Sequence, residues 1–320
     1  MADLKVAVIG CGGHAQSHFR MIADEPRLRL VGLAELDEER RRKNKAEWGL
    51  QRAFADYRQM LDVCQPDVVH VVTMPGHLLP IVLDCLERGL HTSVEKAPGM
   101  TAAETAQMAR AAQQSQGKAL VSFNRRYFPQ VLAVRRRIQA AGGAVHCAAT
   151  YNKPVTLLGP AAPDPLICDA IHHVDLLRWL AGRRTEEAAR PVEVQGMVQD
   201  GERPGCHRHN AVVRFATGAF GTMMSHYGVG YRIQRAEVHG EDLSVYLDMT
   251  RGPQVEGYDK GRAFTVGAEE IEAVGGVGFN EVVHFVDCIL AGRTPWSNLD
   301  DAVHTMRLCE AIRRGHRGML

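Results

Sequence analysis

The chain has 320 residues, 45% of them hydrophobic and 23% charged, the balance of a soluble globular protein with room for two buried cores. A formal net charge of +1 leaves no overall field to draw it to nucleic acid or to an anionic membrane. The basic runs Arg40-Arg41-Arg42-Lys43 and Arg135-Arg136-Arg137 fall on expected helices, the first beside Glu38, Glu39 and Glu47, and read as solvated helix faces.

The opening MADLKVAVIG has no basic leader and no long apolar stretch, and strand-like residues begin at once. No run of about 18 apolar residues occurs to span a bilayer. The eight cysteines form no Cys-x-x-Cys pair, and several sit in apolar runs where a buried thiol is ordinary. A reducing cytoplasm fits these features best.

From residue 1 to about 122 short β-rich runs alternate with helical patterns. LKVAVIG (4–10) leads to a helix through Met21, and LRLVGLA (28–34) to a charged helix through Trp48. DVVHVVT (67–73) precedes a helix ending near Gly89, and HTSVE (91–95) precedes a helix opened by Thr101, with Glu104 completing a capping box. KALVSFN (118–124) closes the series. This grammar implies right-handed crossovers and a doubly wound parallel sheet over 1–122.

After residue 122 the grammar changes. A helix (127–141) and a strand (144–152) come first, then a loop with prolines at 154, 160, 163 and 165, then a helix over LICDAIHHVDLLRW (166–179). PVEVQGMVQ, RHNAVVRFAT, AFGTMMSHY, RIQRAEVHG, LSVYLDM and RAFTVGA follow as strands, with helical patterns again at 278–291 and 299–314. Consecutive strands with short turns imply an antiparallel or mixed sheet, so 123–320 reads as an α+β domain.

The first strand ends in GCGGHA, where Gly10, Gly12 and Ala15 fit G-x-G-x-x-G/A. The pattern directly follows a strand and opens a helix, and Glu35 stands at the end of the second strand, 20 residues past Ala15. In that context Gly10, Gly12, Gly13, His14 and Ala15 read as a dinucleotide cradle facing a helix N-terminus. Glu35 is placed for the adenosine ribose hydroxyls, and Leu36, Asp37 and Glu38 follow it with no adjacent cation. NAD is therefore expected over NADP.

Two further stretches carry chemistry. VEKAPGM (94–100) puts Lys96 at the C-terminal end of a parallel strand, the edge where ligands bind in such sheets. On 166–179, helical spacing gives His172 a face shared with Cys168, Asp169 and Asp175, while His173 points elsewhere and Ile171, Val174, Leu177 and Trp179 form an apolar stripe. Adjacent histidines do not readily converge on one ion, and Cys206, His207 and His209 read as a turn entering a strand, so no metal is expected.

Together GCGGHA, VEKAPGM, SFNRRYFP, DAIHHVDLLRWLAG and NEVVHFVDCILAGRTP resemble the glucose-fructose oxidoreductase and inositol dehydrogenase family (Gfo/Idh/MocA). The resemblance implies a Rossmann domain, a C-terminal domain with an open antiparallel sheet used for subunit contacts, and NAD(P)-dependent oxidation or reduction of sugars, cyclitols and related alcohols. By the same resemblance Lys96 is the active-site lysine, Glu95 the acid before it, and His172 the proton acceptor. Asn124 and Arg126 approach cofactor and substrate, and Thr73 lies near the cofactor. Cys168 replaces the aspartate that many members carry four residues before the histidine, so Asp169 is the expected partner of protonated His172. Ala97 also separates Lys96 from Pro98, and Met74 separates Thr73 from Pro75, where the family has Lys-Pro and Thr-Pro. The rival readings are an NAD-using glycosidase-type relative and a non-catalytic NAD-binding regulator. The partners expected are a sugar or polyol and further copies of this chain, as a dimer or tetramer.

Overall fold

The computed structural model describes residues 3–157, 164–202 and 204–320. Pro160 and Pro163 of the expected proline-rich loop lie outside the described residues. Contacts divide the chain into two compact units, Met1–Ser122 with Asn280–Val303, and Phe123–Phe279 with His304–Leu320.

In the first unit, β1 (Leu4–Ile9), β2 (Leu28–Ala34), β3 (Ala53–Phe54), β4 (Val68–Val71), β5 (His91–Val94) and β6 (Ala119–Val121) form a parallel sheet in the order β3-β2-β1-β4-β5-β6. The connecting helices are α1 (Ala15–Asp24), α2 (Glu38–Glu47), α3 (Tyr57–Cys64), α4 (Pro75–Glu87) and α5 (Ala102–Gln114). Strand order reverses between β1 and β4, which opens a crevice at their carboxyl ends. Sequence periodicity passes over β3 and α3, because two residues show no alternation and eight make barely two helical turns.

Asn280–Val303 returns to this unit for a local reason. The Ser122 hydroxyl donates to Glu281 at 2.6 Å, and the Ser297 hydroxyl donates to the Val121 carbonyl at 2.6 Å. The Val121 N–H donates to Ser297 O at 2.7 Å, so the segment supplies the partner that edge strand β6 would otherwise lack.

The second unit contains α6 (Pro129–Ala140), α7 (Ile171–Leu180) and a nine-stranded sheet. Its strands are β7 (His146–Asn152), β8 (Pro191–Asp200), β9 (His207–Phe215), β10 (Phe220–His226), β11 (Ile233–Gly240), β12 (Leu243–Asp248), β13 (Gln254–Asp259), β14 (Arg262–Thr265) and β15 (Arg317–Met319). They run in the order β14-β13-β12-β11-β7-β10-β9-β8-β15, antiparallel except for β7 beside β10. Sequence patterning does not reveal β13 and β15, because most of their residues face solvent and no apolar alternation results.

All ten residues of α7 are buried, the polar ones included. Asp175 accepts from Arg126 Nε at 2.7 Å and Nη2 at 2.5 Å, and from the Thr305 hydroxyl at 2.8 Å. Arg178 donates to Ala189 O at 3.0 Å and to Thr305 Oγ1 at 2.6 Å. Arg135 corrects the expectation of a solvated basic run. Its guanidinium is buried 3.7 Å from the Trp179 ring centroid and donates to the carbonyls of Arg184 and Glu187. The carbonyls and the ring face make a cation tolerable there, whereas Arg136 donates to Ala273 O and Arg137 pairs with Glu270 nearer the surface.

Removing one member of a buried ion pair strands the other charge. Asp175→Ala should therefore lower unfolding stability by about 3–5 kcal/mol. A denaturant midpoint within error of the parent would show that Arg126 finds another partner.

Candidate active site

The end of β1 is where the first unit needs glycine. Gly10 has φ +89°, and a Cβ there would stand 2.3 Å from the Val72 carbonyl oxygen, so both conformation and space exclude a side chain. Beyond the adjoining residues, no described atom lies within 4 Å of where a Cβ on Gly12 or Gly13 would stand. Ala15 is buried at the start of α1, and His14 is the residue before it. The Thr73 methyl group lies 3.1 Å from where a Cβ on Gly10 would stand, and the Thr73 hydroxyl is buried with no partner among the described residues. A hydroxyl so placed is suited to a ligand atom.

Glu35 is tied to the same turn. Its carboxylate accepts the Cys11 N–H at 2.9 Å and the Asp37 N–H at 3.0 Å. Burial, and then the Glu35 charge, push the Cys11 thiol up to about 12, so it stays neutral. The absence of a cation immediately after Glu35 holds only in sequence. Asp37 caps α2, whose first turn brings Arg40 Nη2 to 3.4 Å from Glu35 Oε1 and lets Arg41 donate to the Glu35 carbonyl at 2.7 Å. These residues fit a dinucleotide: open backbone at the glycines for the pyrophosphate, a carboxylate beside the turn for ribose, and an unpartnered hydroxyl across from it.

Glu95 and Lys96 follow β5 and are both largely buried. The Lys96–Ala97 peptide is cis. The Glu95 carboxylate accepts from His18 Nε2 at 3.0 Å, with its other oxygen 3.9 Å from Lys96 Nζ. His18 Nδ1 lies 3.2 Å from His70 Nδ1. Burial pushes the Glu95 carboxyl up, but the His18 hydrogen bond and the charges of His18, Lys96 and His14 outweigh it and hold it below the usual range. Burial alone would lower His18, yet its bond to Glu95 and the charges of Glu95 and Glu281 carry it above its usual value. Burial and then the His18 charge hold His70 well below. Sequence reasoning singles out neither histidine, although His70 interrupts the apolar run VVHVV and His18 lies one turn beyond Ala15.

In the second unit the polar cluster of 166–179 comes apart. Leu166–Ala170 is a π-helical turn, wider than the α-helix that would give Asp169 and His172 a shared face. Asp169 accepts from the Tyr151 hydroxyl at 2.6 Å and from Lys153 Nζ at 2.6 Å, with Tyr227 Oη 3.5 Å away. Its two oxygens are thus committed to Tyr151 and Lys153, and the role of partner to His172 is withdrawn. Arg126 is also corrected as a substrate ligand, because its side chain is 0% exposed in the Asp175 pair. The neighbouring Arg125 is only part-buried, donating to Asn124 Oδ1 at 2.6 Å and to Gln234 at 2.8 Å.

His172 keeps 7% of its surface and His173 none. The His173 ring meets Tyr151 edge-on at 5.0 Å, and both its nitrogens lack a partner among the described residues. Burial, with Arg125 and Arg232 nearby, holds its pKa well below the ordinary value. Such a group costs stability as pH falls below its unfolded value near 6.5, because the unfolded chain then binds the proton that the folded chain refuses. His173→Phe keeps the aromatic contact and removes the unsatisfied nitrogens. It should raise stability by about 1 kcal/mol or more and flatten the stability–pH curve below about 6.5. A variant less stable than the parent at pH 5 and 7 alike would rule this out.

Comparison with known proteins speaks to the family and the fold. Residues 4–123 match the oxidoreductase family's NAD-binding Rossmann fold, and residues 162–318 match its C-terminal alpha/beta domain. Myo-inositol 2-dehydrogenase of Thermotoga maritima is 24% identical over 267 residues, covering 78% of this chain and 76% of that protein. Levoglucosan dehydrogenase of Pseudarthrobacter phenanthrenivorans is 25% identical over 304 residues, covering 80% and 76%. A solved levoglucosan dehydrogenase in complex with NADH superposes with a TM-score of 0.84 over 98% of this chain and 96% of the other at 20% identity, which speaks for the fold. The chain belongs to the Gfo/Idh/MocA oxidoreductase family, and its first domain is that family's NAD-binding Rossmann fold.

Proposed function

We propose that this oxidoreductase moves a hydride between NAD and a hydroxyl-bearing carbon of a sugar, cyclitol or related polyol. The observation that carries the reading is the strand-end set of the first unit: the Gly10 turn, the orphaned Thr73 hydroxyl and the buried Glu95–Lys96 pair. The relatives named for inositol and levoglucosan support the substrate class.

When bound, the nicotinamide supplies the hydride acceptor or donor. Gly10, Gly12, Gly13, His14 and Ala15 would hold the pyrophosphate by backbone N–H groups, Glu35 the ribose, and Thr73 a group beside the turn. Asn124 is a further cofactor-binding residue in this reading. Lys96 donates a hydrogen bond to the substrate oxygen and favours its alkoxide-like form. His172 takes the hydroxyl proton, and histidine suits that task near neutral pH. The reaction would run in the cytoplasm, where no disulfide is required of the eight cysteines.

The exposed face of the large sheet supports self-association. Met197, Val212, Phe220 and Met224 lie on that face of adjacent strands β8, β9 and β10 and are 64%, 46%, 50% and 41% exposed. A dimer or tetramer through this sheet would cover them.

NAD should exceed NADP by at least roughly tenfold in kcat/KM, about 1.4 kcal/mol, and Glu35→Ser should narrow the gap. Equal use of NADP by the parent would sink the assignment.

Lys96→Ala and His172→Ala should each cut kcat by roughly a hundredfold or more in a screen of sugars and polyols followed at the nicotinamide absorbance. NADH binding should survive His172→Ala. Full turnover in either variant would remove that residue from the chemistry.

A further inference from the structure

We propose that His18 is a positioning residue for Lys96: from α1 it holds the Glu95 carboxylate by a buried hydrogen bond, and His70 fixes the His18 ring from the other side. This rests on the role given to Lys96 above. The geometry is a continuous buried line within the first unit. His70 Nδ1 to His18 Nδ1 is 3.2 Å, His18 Nε2 to Glu95 Oε2 is 3.0 Å, and Glu95 Oε1 to Lys96 Nζ is 3.9 Å. His18 and His70 are only 3% and 1% exposed, so bulk water does not screen the line.

The charges facing the two rings decide which of them takes an extra proton. His70 Nε2 is buried with no partner among the described residues, so a second proton on His70 would leave an unsolvated cation. His18 has an acceptor at each nitrogen instead: the Glu95 carboxylate at Nε2 and the Nδ1 lone pair of His70. The charged groups around it favour a cation there. Glu95 faces it from the end of β5, Glu281 acts on it from α8 (Glu281–Leu290), and neutral His70 meets it from β4. Glu95 in turn is acted on by His18, Lys96 and His14.

The arrangement that follows is Glu95 ionised, His18 doubly protonated, and His70 neutral with its hydrogen on Nε2. One carboxylate oxygen is then anchored by His18, and the other is presented to the Lys96 ammonium in a fixed direction. Without the anchor, burial penalises a carboxylate that has lost its best donor, and the group facing Lys96 loses both charge and orientation. A shift of about 1 Å in a reacting group can cost on the order of a hundredfold in rate.

The test pairs kinetics with a readout that needs no substrate. Nitrogen-15 NMR of the parent should show His18 protonated on both ring nitrogens above pH 6.5, the ordinary value. In Glu95→Gln that second proton should leave at a pH lower by about one unit or more. His18→Leu should lower kcat by roughly tenfold or more while the KM for NAD changes far less. His18→Gln, whose amide N–H can reach the same carboxylate oxygen, should restore most of the rate and show a flatter pH profile. Unchanged kcat in a folded His18→Leu would overturn the proposal. So would a neutral His18 at pH 6 in the parent, a result available even if the leucine variant does not fold. An inactive Lys96→Ala beside a fully active His18→Leu would overturn the positioning role alone. Full activity in Lys96→Ala would remove the role given to the lysine, and the positioning with it.

Discussion

The register of the parallel sheet is the constraint on which the cofactor site depends. Ile9 pairs with Ala34 on one side and Val71 on the other, and Val71 pairs with Val94, which pairs with Val121. The next residue on each strand therefore emerges at one level: Glu35, Gly10, Val72, Glu95 and Ser122. The backbone bonds continue the ladder by one residue, from Gly10 to Ala34, Val72 to Ile9, Glu95 to Val71 and Ser122 to Val94. A slip of one residue in β4 or β5 would turn Thr73 or Glu95 away from the turn and bury an uncompensated group in the apolar layers. Strands β1, β4 and β5 thus set the level at which these residues emerge, and β4 adds His70 to the line behind Lys96.

The same ladder explains why Gly10 is irreplaceable while Gly12 and Gly13 face open space. Strand β4 ends against the turn, and the Val72 carbonyl occupies the place a Cβ would need. On the far side Cys11 N–H is bound by Glu35, which fixes the turn from its second flank. The turn is held by backbone on one side and by a carboxylate on the other, so its N–H groups are oriented before any anion arrives.

The fold is legible wherever a local pattern decides local structure. LRLVGLA forms Leu28–Ala34 without adjustment, and six of the seven strands of the unbroken run from Pro191 to Thr265 are marked by alternation or by turns. Polar strands such as Gln254–Asp259 are invisible because solvent, not a core, faces most of their side chains. At the site, residues whose type answers a backbone demand are legible, as with Gly10, and so are strand-end residues such as Glu35 and Lys96. The partner of each charge is not. Spacing along one helix or one run speaks for the expected places of Asp169 and Arg135, and resemblance for that of Arg126. Their real partners are Lys153 and Tyr151 for Asp169, the Trp179 face with two carbonyls for Arg135, and Asp175 for Arg126, all brought near by the tertiary fold.

The two adjacent histidines of α7 and the two of the first unit show the same rule from opposite sides. His18 is buried with an anion on one nitrogen and an acceptor on the other, so the interior raises its affinity for a proton. His173 is buried equally deeply against Tyr151 with neither, so the interior lowers that affinity. Burial alone cannot distinguish them, and residue type is identical. The difference lies in which strand ends beside each ring: β5 brings Glu95 to His18, whereas the carboxylates around α7 are already engaged, Asp169 by Lys153 and Asp175 by Arg126. Where every nearby carboxylate is committed elsewhere, a buried histidine is a hydrophobic ring with a penalty. Where one remains to accept its N–H, the same side chain becomes a fixed charge that can orient its neighbours.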